Sequence, residues 1–544
     1  MMKHRQIYLL LLLSAVLLSL PFYRWFSGII LFVAWVPLLF VEEHFVRHKE
    51  QYRPWQVFFY GWGTFLTWNL LTIYWIWNAT VPGAIAAYLI NSFVMAAAFW
   101  LVHMVHRTLG DRMGHFGFLV IWTAYEHYYL NIQINFPWLL MGNGFAKDVA
   151  LVQWYECTGV LGGTFWVLFV NLLVFLLLRH YLTARTVRGM GFEAVVLVLV
   201  VGVPIVWSVV RYHAYRETGR KVEVVVVQPN IDPYHDKFSG MSNDEQLNII
   251  LRLADSLVTD STDYVVAPET AINEGLLEND LWRGRSIRRL AAFVQRHPRV
   301  KFVIGATTWR IYPPGPQPTP TARKRRDGSW EDIFNTALQI DTTGHIQVYH
   351  KSKLVVGVES IPHPELLRPL LGDILIDLGG SLGGYGTQKE RIPLVSPDST
   401  VRAAIAICYE SVFGDYLTGF LKRGANLLFI ITNDGWWGDT PGYHQHASFA
   451  RLRAIEERRS IARSANTGIS CFIDQRGKVE QATPWWTPTA IRGTLHLNDR
   501  LTFYARHGDY FGRVSDLFTV LLLLFMVTRM LMNKGRSASH NPIP

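Results

Sequence analysis

Runs of apolar residues long enough to cross a bilayer recur at about residues 7–22, 26–41, 57–77, 84–105, 115–131, 159–178, 190–210 and 514–532. A helix needs ~20 mostly apolar residues to span the hydrocarbon core, and inside that core each backbone polar group must be satisfied within the protein. The pattern therefore predicts a polytopic α-helical membrane domain of about eight spans. Composition agrees, since 50% of the 544 residues are hydrophobic, 14% are aromatic and only 17% are charged. The first run follows Met1-Met2-Lys3-His4-Arg5, which is a signal-peptide flank. No small-residue cleavage site precedes Pro21, and a second run follows at once, so the segment reads as a retained helix.

Basic residues orient the set. Lys3 and Arg5 precede the first run. Arg47, Lys49 and Arg53 follow the second, Arg107 and Arg112 the fourth, and Arg179, Arg185 and Arg188 the sixth. Arg529, Lys534 and Arg536 lie at or beyond the end of the last. Clusters in every second loop mark a cytoplasmic face, so both termini are expected inside and residues 212–510 outside the membrane. The net charge of +10 is absorbed by these loops and by anionic lipid heads, and no nucleic-acid recognition motif accompanies it. Three domains follow: helices over 1–211, an extracytoplasmic domain over 212–510, and a final helix with a cytoplasmic tail over 511–544. Asn69, Asn91, Glu126 and Asn171 sit at or near membrane depth. They read as helix-packing polar groups or, less commonly, as lining for a substrate cleft. An interfacial position is the other reading, and for Glu126, beside His127, the membrane edge is a simple alternative.

From Lys221 the pattern becomes that of an α/β domain. Strand-like runs lie at Val222–Gln228, Tyr264–Ala267, Phe302–Ala306, Thr336–Ile340, Ala403–Ile407 and Leu427–Ile431. Ser242-Asn243-Asp244-Glu245 is a capping box before a face of Leu247, Ile250, Leu251, Ala254 and Val258. A second helix is predicted over Ser286–Gln295, and Asp341-Thr342-Thr343-Gly344 reads as a hairpin turn. The Pro- and Arg-rich 312–326 stretch is expected to be an exposed loop. The apolar, Gly-rich 366–386 stretch is expected to be an arm that dips into the bilayer or covers a site; it lacks the Gly-Lys-Ser/Thr of a phosphate-binding loop.

Three segments at strand ends carry the chemistry: Ala267-Pro268-Glu269-Thr270, Tyr349-His350-Lys351 and Ile407-Cys408-Tyr409-Glu410. A cysteine nucleophile needs a base, and Glu269 can serve if burial raises its pKa toward neutrality. Addition to a carbonyl makes an oxyanion, for which Lys351 and the Tyr409 N–H are candidate donors. Glu359 and Glu410 are further acids, placed to orient Lys351 or move a proton. The three cysteines form no disulfide framework, and Cys157 and Cys471 read as bystanders.

With these motifs in hand, residues 222–500 resemble the carbon–nitrogen hydrolase (nitrilase) superfamily. That resemblance implies a Glu269–Lys351–Cys408 triad on an αββα sandwich. With spans on both sides, the chain as a whole is similar to the bacterial apolipoprotein N-acyltransferase family. Val227-Gln228-Pro229-Asn230-Ile231, Tyr443-His444-Gln445-His446 through Arg451 and Arg453, and Ala465-Asn466-Thr467-Gly468 carry the likeness too. The sequence departs from the family in having Val356-Gly357-Val358 before Glu359, where Pro-Phe-Gly is usual. The resemblance implies an inner-membrane enzyme whose catalytic domain is periplasmic. A phospholipid such as phosphatidylethanolamine would donate an acyl chain to Cys408. The thioester would then pass it to the free α-amine of a diacylglyceryl apolipoprotein. Glu359, Tyr409 and Glu410 would support the triad, and Phe238, Trp436 and Trp437 are candidate substrate-binding residues. No cofactor or metal is implied, and the protein is expected to act as a monomer. The alternative is a membrane-anchored amidase or nitrilase in which water replaces the amine.

Overall fold

The computed structural model describes residues 2–360 and 384–538, with the side chains of 238, 239 and 534–538 outside the description. All but the end of the 366–386 stretch, and the side chain of Phe238, therefore lie outside the described residues. The chain divides into two units. One comprises Met1–Tyr74, Ala84–His213 and Asp509–Pro544, and the other Trp75–Gly83 with Ala214–Gly508.

The first unit is helical. Among the described residues, six helical stretches are long and apolar enough to cross a membrane: His4–Phe22, Gly28–Arg47, Val81–Leu109, Tyr155–Ala184, Gly191–Ala214 and Tyr510–Asn533. Helices Pro54–Ile73 and Asp111–Asn131 occupy the other two expected runs but fall short of that composition. The four polar residues singled out in the sequence take part in hydrogen bonds within this unit. Asn69 accepts from Asn91 at 2.6 Å. Asn171 accepts from Trp35 N at 2.8 Å and donates to Leu31 O at 2.6 Å, bridging the break in the second span. Glu126 is buried within the helices and accepts from Trp122 Nε1, Met141 N and Thr164 Oγ1 at 3.0, 3.1 and 2.5 Å. With their hydrogen bonds spent on packing, these groups act as interhelical ties.

The second unit is built on two sheets. Strands β1 (Lys221–Gln228), β2 (Tyr264–Val266), β3 (Ile272–Leu277), β4 (Lys301–Tyr312), β5 (Arg323–Lys324), β6 (Trp330–Ile340) and β7 (Gln347–His350) join β14 (Thr489–His496) in one sheet, with main order β14-β1-β2-β4-β6-β5. The other has order β13-β12-β11-β10-β9-β8, from β8 (Leu394–Val395), β9 (Arg402–Ile407), β10 (Leu427–Thr432), β11 (Ile461–Ala465), β12 (Cys471–Ile473) and β13 (Val479–Ala482). β1–β2–β4 and β9–β10–β11 run parallel. Their sequences, such as Val-Glu-Val-Val-Val-Val and Leu-Leu-Phe-Ile-Ile, are nearly unbroken apolar runs because both faces are covered. On the first sheet, Val225 and Val227 pack under Leu247, Ile250, Leu290 and Phe293 of helices Asn243–Asp255 and Arg285–Arg296. The opposite face meets the second sheet, where Tyr264 lies 5.2 Å from Phe429 and Ser464 Oγ donates to Val227 O at 2.8 Å. Helices Gly414–Leu421 and Pro441–Glu457 accompany the second sheet. The result is the expected αββα sandwich.

Local signals hold where the sequence is explicit. Ser242 Oγ accepts from Glu245 N, and Glu245 Oε2 accepts from Ser242 N at 2.9 Å, completing the capping box. The 341–344 hairpin joins β6 to β7. The 312–326 stretch is not wholly loop, because Arg323 and Lys324 pair with Glu331 and Trp330.

Candidate active site

Glu269 follows β2 on a loop pressed against β4. Ala267 N donates to Val303 O at 2.8 Å, Gly305 N to Pro268 O at 3.0 Å and Ala271 N to Gly305 O at 2.9 Å. The approach is so close that a Cβ at Gly305 would lie 2.5 Å from Thr270 N and 2.6 Å from Glu269 Cα. Thr270 takes a left-handed φ of 45° to turn the chain back.

Lys351 continues β7 past its last ladder pair, with its N–H donating to Asn335 O on β6 at 2.8 Å. Its ammonium is 1% exposed and donates to Glu269 Oε1 at 3.0 Å and Glu359 Oε1 at 2.8 Å. Asn335 Nδ2 reaches the same two oxygens at 2.8 and 3.1 Å. Both donors to the Glu269 carboxylate sit on Oε1. Glu359 is held in turn by Val355 N, which donates to Oε2 at 2.9 Å, in a turn that Gly357 closes with φ 83°. The unusual Val-Gly-Val therefore still delivers Glu359 to Lys351.

Cys408 ends β9 and begins the helical turn Cys408–Val412, buried, with a left-handed φ of 51°. A non-glycine residue there stores strain, a feature concentrated at functional sites. Its carbonyl accepts from Ser411 Oγ at 2.7 Å and lies 3.2 Å from His446 Nε2. His446 Nδ1 is 2.9 Å from Asp434 Oδ1, and Asp434 Oδ2 accepts from Arg463 at 2.6 Å, all within the core. Tyr409 is buried with its ring on Phe413.

Electrostatics assign protonation states. Burial raises the Glu269 carboxyl, but the Lys351 charge and hydrogen bonds from Lys351 and Asn335 outweigh it and leave its pKa lowered. The expected upward shift is therefore reversed by the ion pair. Burial pushes Lys351 down, and the carboxylates of Glu269 and Glu359 more than reverse this, holding it well above the usual lysine range. Burial, and then the Glu269 charge, push the Cys408 thiol far up, only partly offset by Lys351. The resting site thus holds a carboxylate, an ammonium and a neutral thiol.

Glu410 does something other than expected. It does not reach Lys351. Its Oε1 accepts from Tyr349 and Tyr416 at 2.8 Å each and from Ser352 N at 2.7 Å, and its Oε2 accepts from Ile407 N at 2.9 Å. It braces backbone on either side of the site. Trp437 packs on Trp75 and on His446, with ring centroids 4.8 and 5.5 Å away. Trp436 packs on Tyr234 at 5.3 Å. Both tryptophans follow β10 and are partly exposed. The backbone of Phe238 lies in the helical turn Asp236–Gly240. Cys471 is buried in β12, and Cys157 belongs to the helical unit. Sequence reading missed Asn335, Lys237 and Arg463. It noted His446 only as part of a family-like string. Among the described residues, no group of His, Cys, Asp or Glu has metal-binding geometry.

Comparisons with known proteins match both the helical part and the α/β part of the chain. A model described as the apolipoprotein N-acyltransferase N-terminal domain matches residues 14–173, and one described as carbon-nitrogen hydrolase matches residues 224–500. The apolipoprotein N-acyltransferase of Chlorobaculum tepidum is 31% identical over 509 residues, covering 92% of each chain. That of Geobacter metallireducens is 27% identical over 527 residues, covering 93% of each. Among solved structures, Saccharomyces cerevisiae Nit3, of the nitrilase superfamily, aligns over 52% of this chain and 91% of that one, at 14% identity and TM-score 0.36.

Proposed function

We propose a two-step acyl transfer for this chain, which belongs to the apolipoprotein N-acyltransferase family. An acyl chain passes from a phospholipid to Cys408, then from the thioester to the α-amine of a diacylglyceryl apolipoprotein. The observation that carries the reading is the Lys351 ammonium clamped between Glu269 and Glu359, in the same charge field as a buried cysteine on a strained strand end.

Because the free thiolate is disfavoured, deprotonation accompanies attack. Cys408 Sγ adds to the ester carbonyl while its proton moves to Glu269, for which Oε2 is the available oxygen. Lys351 and the Tyr409 N–H face the oxyanion, which such donors stabilise. The tetrahedral adduct collapses by breaking the C–O bond, and Glu269 returns the proton to the departing alcohol, giving a lysophospholipid. The amine then adds to the thioester carbonyl, giving up a proton to Glu269. The C–S bond breaks, and the thiolate is reprotonated. An α-amine, with a pKa of ~7.7–8.0, is mainly ammonium at pH 7, and the roughly one-tenth that is neutral supplies the attacking lone pair. Phosphatidylethanolamine is the proposed donor, and a monomer suffices for this chemistry. The proposed setting is the inner membrane, with residues 212–510 periplasmic and both termini cytoplasmic.

The triad is shared with hydrolases, so acceptor identity needs its own test. Protein incubated with phosphatidylethanolamine is expected to gain one acyl mass that hydroxylamine removes. Cys408→Ser should lose that adduct and Cys471→Ala keep it. A diacylglyceryl-cysteine peptide with a free N-terminus should discharge the thioester to an N-acyl product, and its N-acetylated form should not. Release of free fatty acid at one rate with either peptide would make the protein a hydrolase.

A further inference from the structure

Lys237 is a charged side chain that the triad leaves unused, yet it is buried within the site's own loop. It is 3% exposed, on the turn Asp236–Gly240 after β1. Its Nζ donates to Glu269 O at 3.2 Å and to Thr270 Oγ1 at 2.6 Å. The turn is itself anchored, with Lys237 N donating to Asp232 O at 2.9 Å and Gln246 Nε2 donating to Lys237 O at 2.8 Å. A buried ammonium is costly to desolvate unless it meets acceptors or opposite charge. Here it meets the two residues that carry the proposed base.

We propose that Lys237 is a positioning residue for the reaction: it clamps the left-handed Glu269–Thr270 turn and sets a second positive charge, after Lys351, against the backbone of the proposed base. The inference rests on the acyl-transfer reading above. Thr270 sits at a φ that a β-branched residue rarely adopts. Gly305 limits movement of the loop from one side, and Lys237 bonds it from another. The clamp engages the main chain of Glu269 and leaves its carboxylate to Lys351 and Asn335. The titratable groups facing Lys237 are Glu269, on the loop after β2, and Cys408, at the end of β9, while Gln246 from helix Asn243–Asp255 is neutral. Burial brings the ammonium down to about 8, against the opposing pull of the Glu269 carboxylate. Its charge is therefore full below that value and lost above it. The charge favours the anion that builds at Cys408 and on the ester oxygen, so thioester formation should weaken as pH rises through about 8.

The test is single-turnover thioester formation by the full chain in detergent with phosphatidylethanolamine, followed by intact mass between pH 6 and 9.5. Lys237→Met should slow the step ~10–100-fold at pH 7, the scale of a base displaced by up to about an ångström, and should lack the alkaline decline. Lys237→Arg should recover much of the rate and hold it above pH 8, because guanidinium keeps its charge. Thr270→Val, which removes the hydroxyl but leaves the ammonium, should slow the step while retaining the decline near pH 8. If Lys237→Met does not fold, the arginine and valine variants decide the matter alone. An unaltered rate in Lys237→Met or Thr270→Val overturns the proposal. So does an equal slowing at every pH that arginine fails to rescue. Absence of any adduct in the unaltered protein overturns the acyl-transfer reading, and this inference with it.

Discussion

Gly305→Ala is expected to disable thioester formation while leaving the fold in place. A Cβ at residue 305 would lie 2.5 Å from Thr270 N, 2.6 Å from Glu269 Cα and 2.7 Å from Pro268 O. Ordinary heavy-atom contact begins near ~3.5 Å, so the shortfall is about 1 Å in each direction. All three atoms are backbone, and the loop is tied to β4 on both sides of the clash by Ala267 N to Val303 O and Ala271 N to Gly305 O. No side chain can rotate away. Either β4 bows or the loop carrying Glu269 moves by about an ångström. Overpacking of this kind costs ~1–3 kcal/mol of stability, which a unit of this size should survive. A base misplaced by 1 Å loses ~100-fold in rate. The assay is the rate of acyl-mass gain at Cys408, beside a thermal melt of the same sample. Gly202→Ala is the control, since a Cβ there meets nothing within 4 Å. If Gly305→Ala acylates within threefold of the unaltered protein and melts normally, Glu269 is not held where the reaction needs it, and its role as base is wrong.

Glu269→Gln should abolish acylation without unfolding, because it removes the proposed base at nearly constant volume. Lys351→Ala should slow acylation ~100–1000-fold as an oxyanion donor is lost, and near-normal adduct formation in either variant would refute that residue's role. Asp434→Asn should cost ~3–5 kcal/mol in denaturant unfolding, because it strips the buried Arg463 and His446 of their shared anion. Asp434 has its pKa lowered in the fold, against the pull of burial, by the Arg463 and His446 charges. Its contribution is therefore present above the ordinary aspartate pKa and fades as pH falls toward the depressed one, so the gap between variant and unaltered protein should narrow in acid. A cysteine in place of the exposed Pro316 should react with an impermeant maleimide in intact spheroplasts, and labelling only after lysis would reverse the proposed orientation.

The legible parts of this molecule are those set by local pattern. Apolar length gives the helices, although Asp111, Arg112, His115, Glu126 and His127 dilute one of them enough that length and apolarity alone do not mark it as a span. Central strands such as β9 and β10 read clearly because burial on both faces leaves unbroken apolar runs. The outer strands β13 and β14 did not, since exposed positions break the pattern in Val-Glu-Gln-Ala and Thr-Ala-Ile-Arg-Gly-Thr. Glu269, Lys351 and Cys408 stood out because each ends a strand. Asn335 had no such signal: it lies inside β6, and only the pairing of Thr307 with Asn335 on β4 and β6 brings it beneath the Glu269 loop. Lys237 looked like one basic residue in a polar turn, and its burial depends on a loop more than thirty residues later in sequence. The lowered pKa of Glu269 is illegible in the sequence for the same reason. Burial can be guessed from neighbouring residues, but the Lys351 that reverses its effect arrives from β7.

The two further carboxylates near the proposed triad make different contacts, which their sequence positions hide. Glu359 bonds the Lys351 ammonium itself, so it acts on charge. Glu410 bonds Ile407 N, the residue before Cys408, and Ser352 N, the residue after Lys351, with two tyrosine hydroxyls completing its shell. One buried side chain thus joins the backbone beside the thiol to the backbone beside the ammonium. That tie matters because the left-handed conformation at Cys408 costs ~1–3 kcal/mol, and a free chain end would relax it. Hydrogen bonds to a charged group are worth ~1.5–3 kcal/mol each when geometry is good, so the shell around Glu410 can offset the strain even after burial has raised its pKa. On the proposed reading the strain serves to aim the sulfur, and Glu410, two residues after the cysteine, serves to hold that aim.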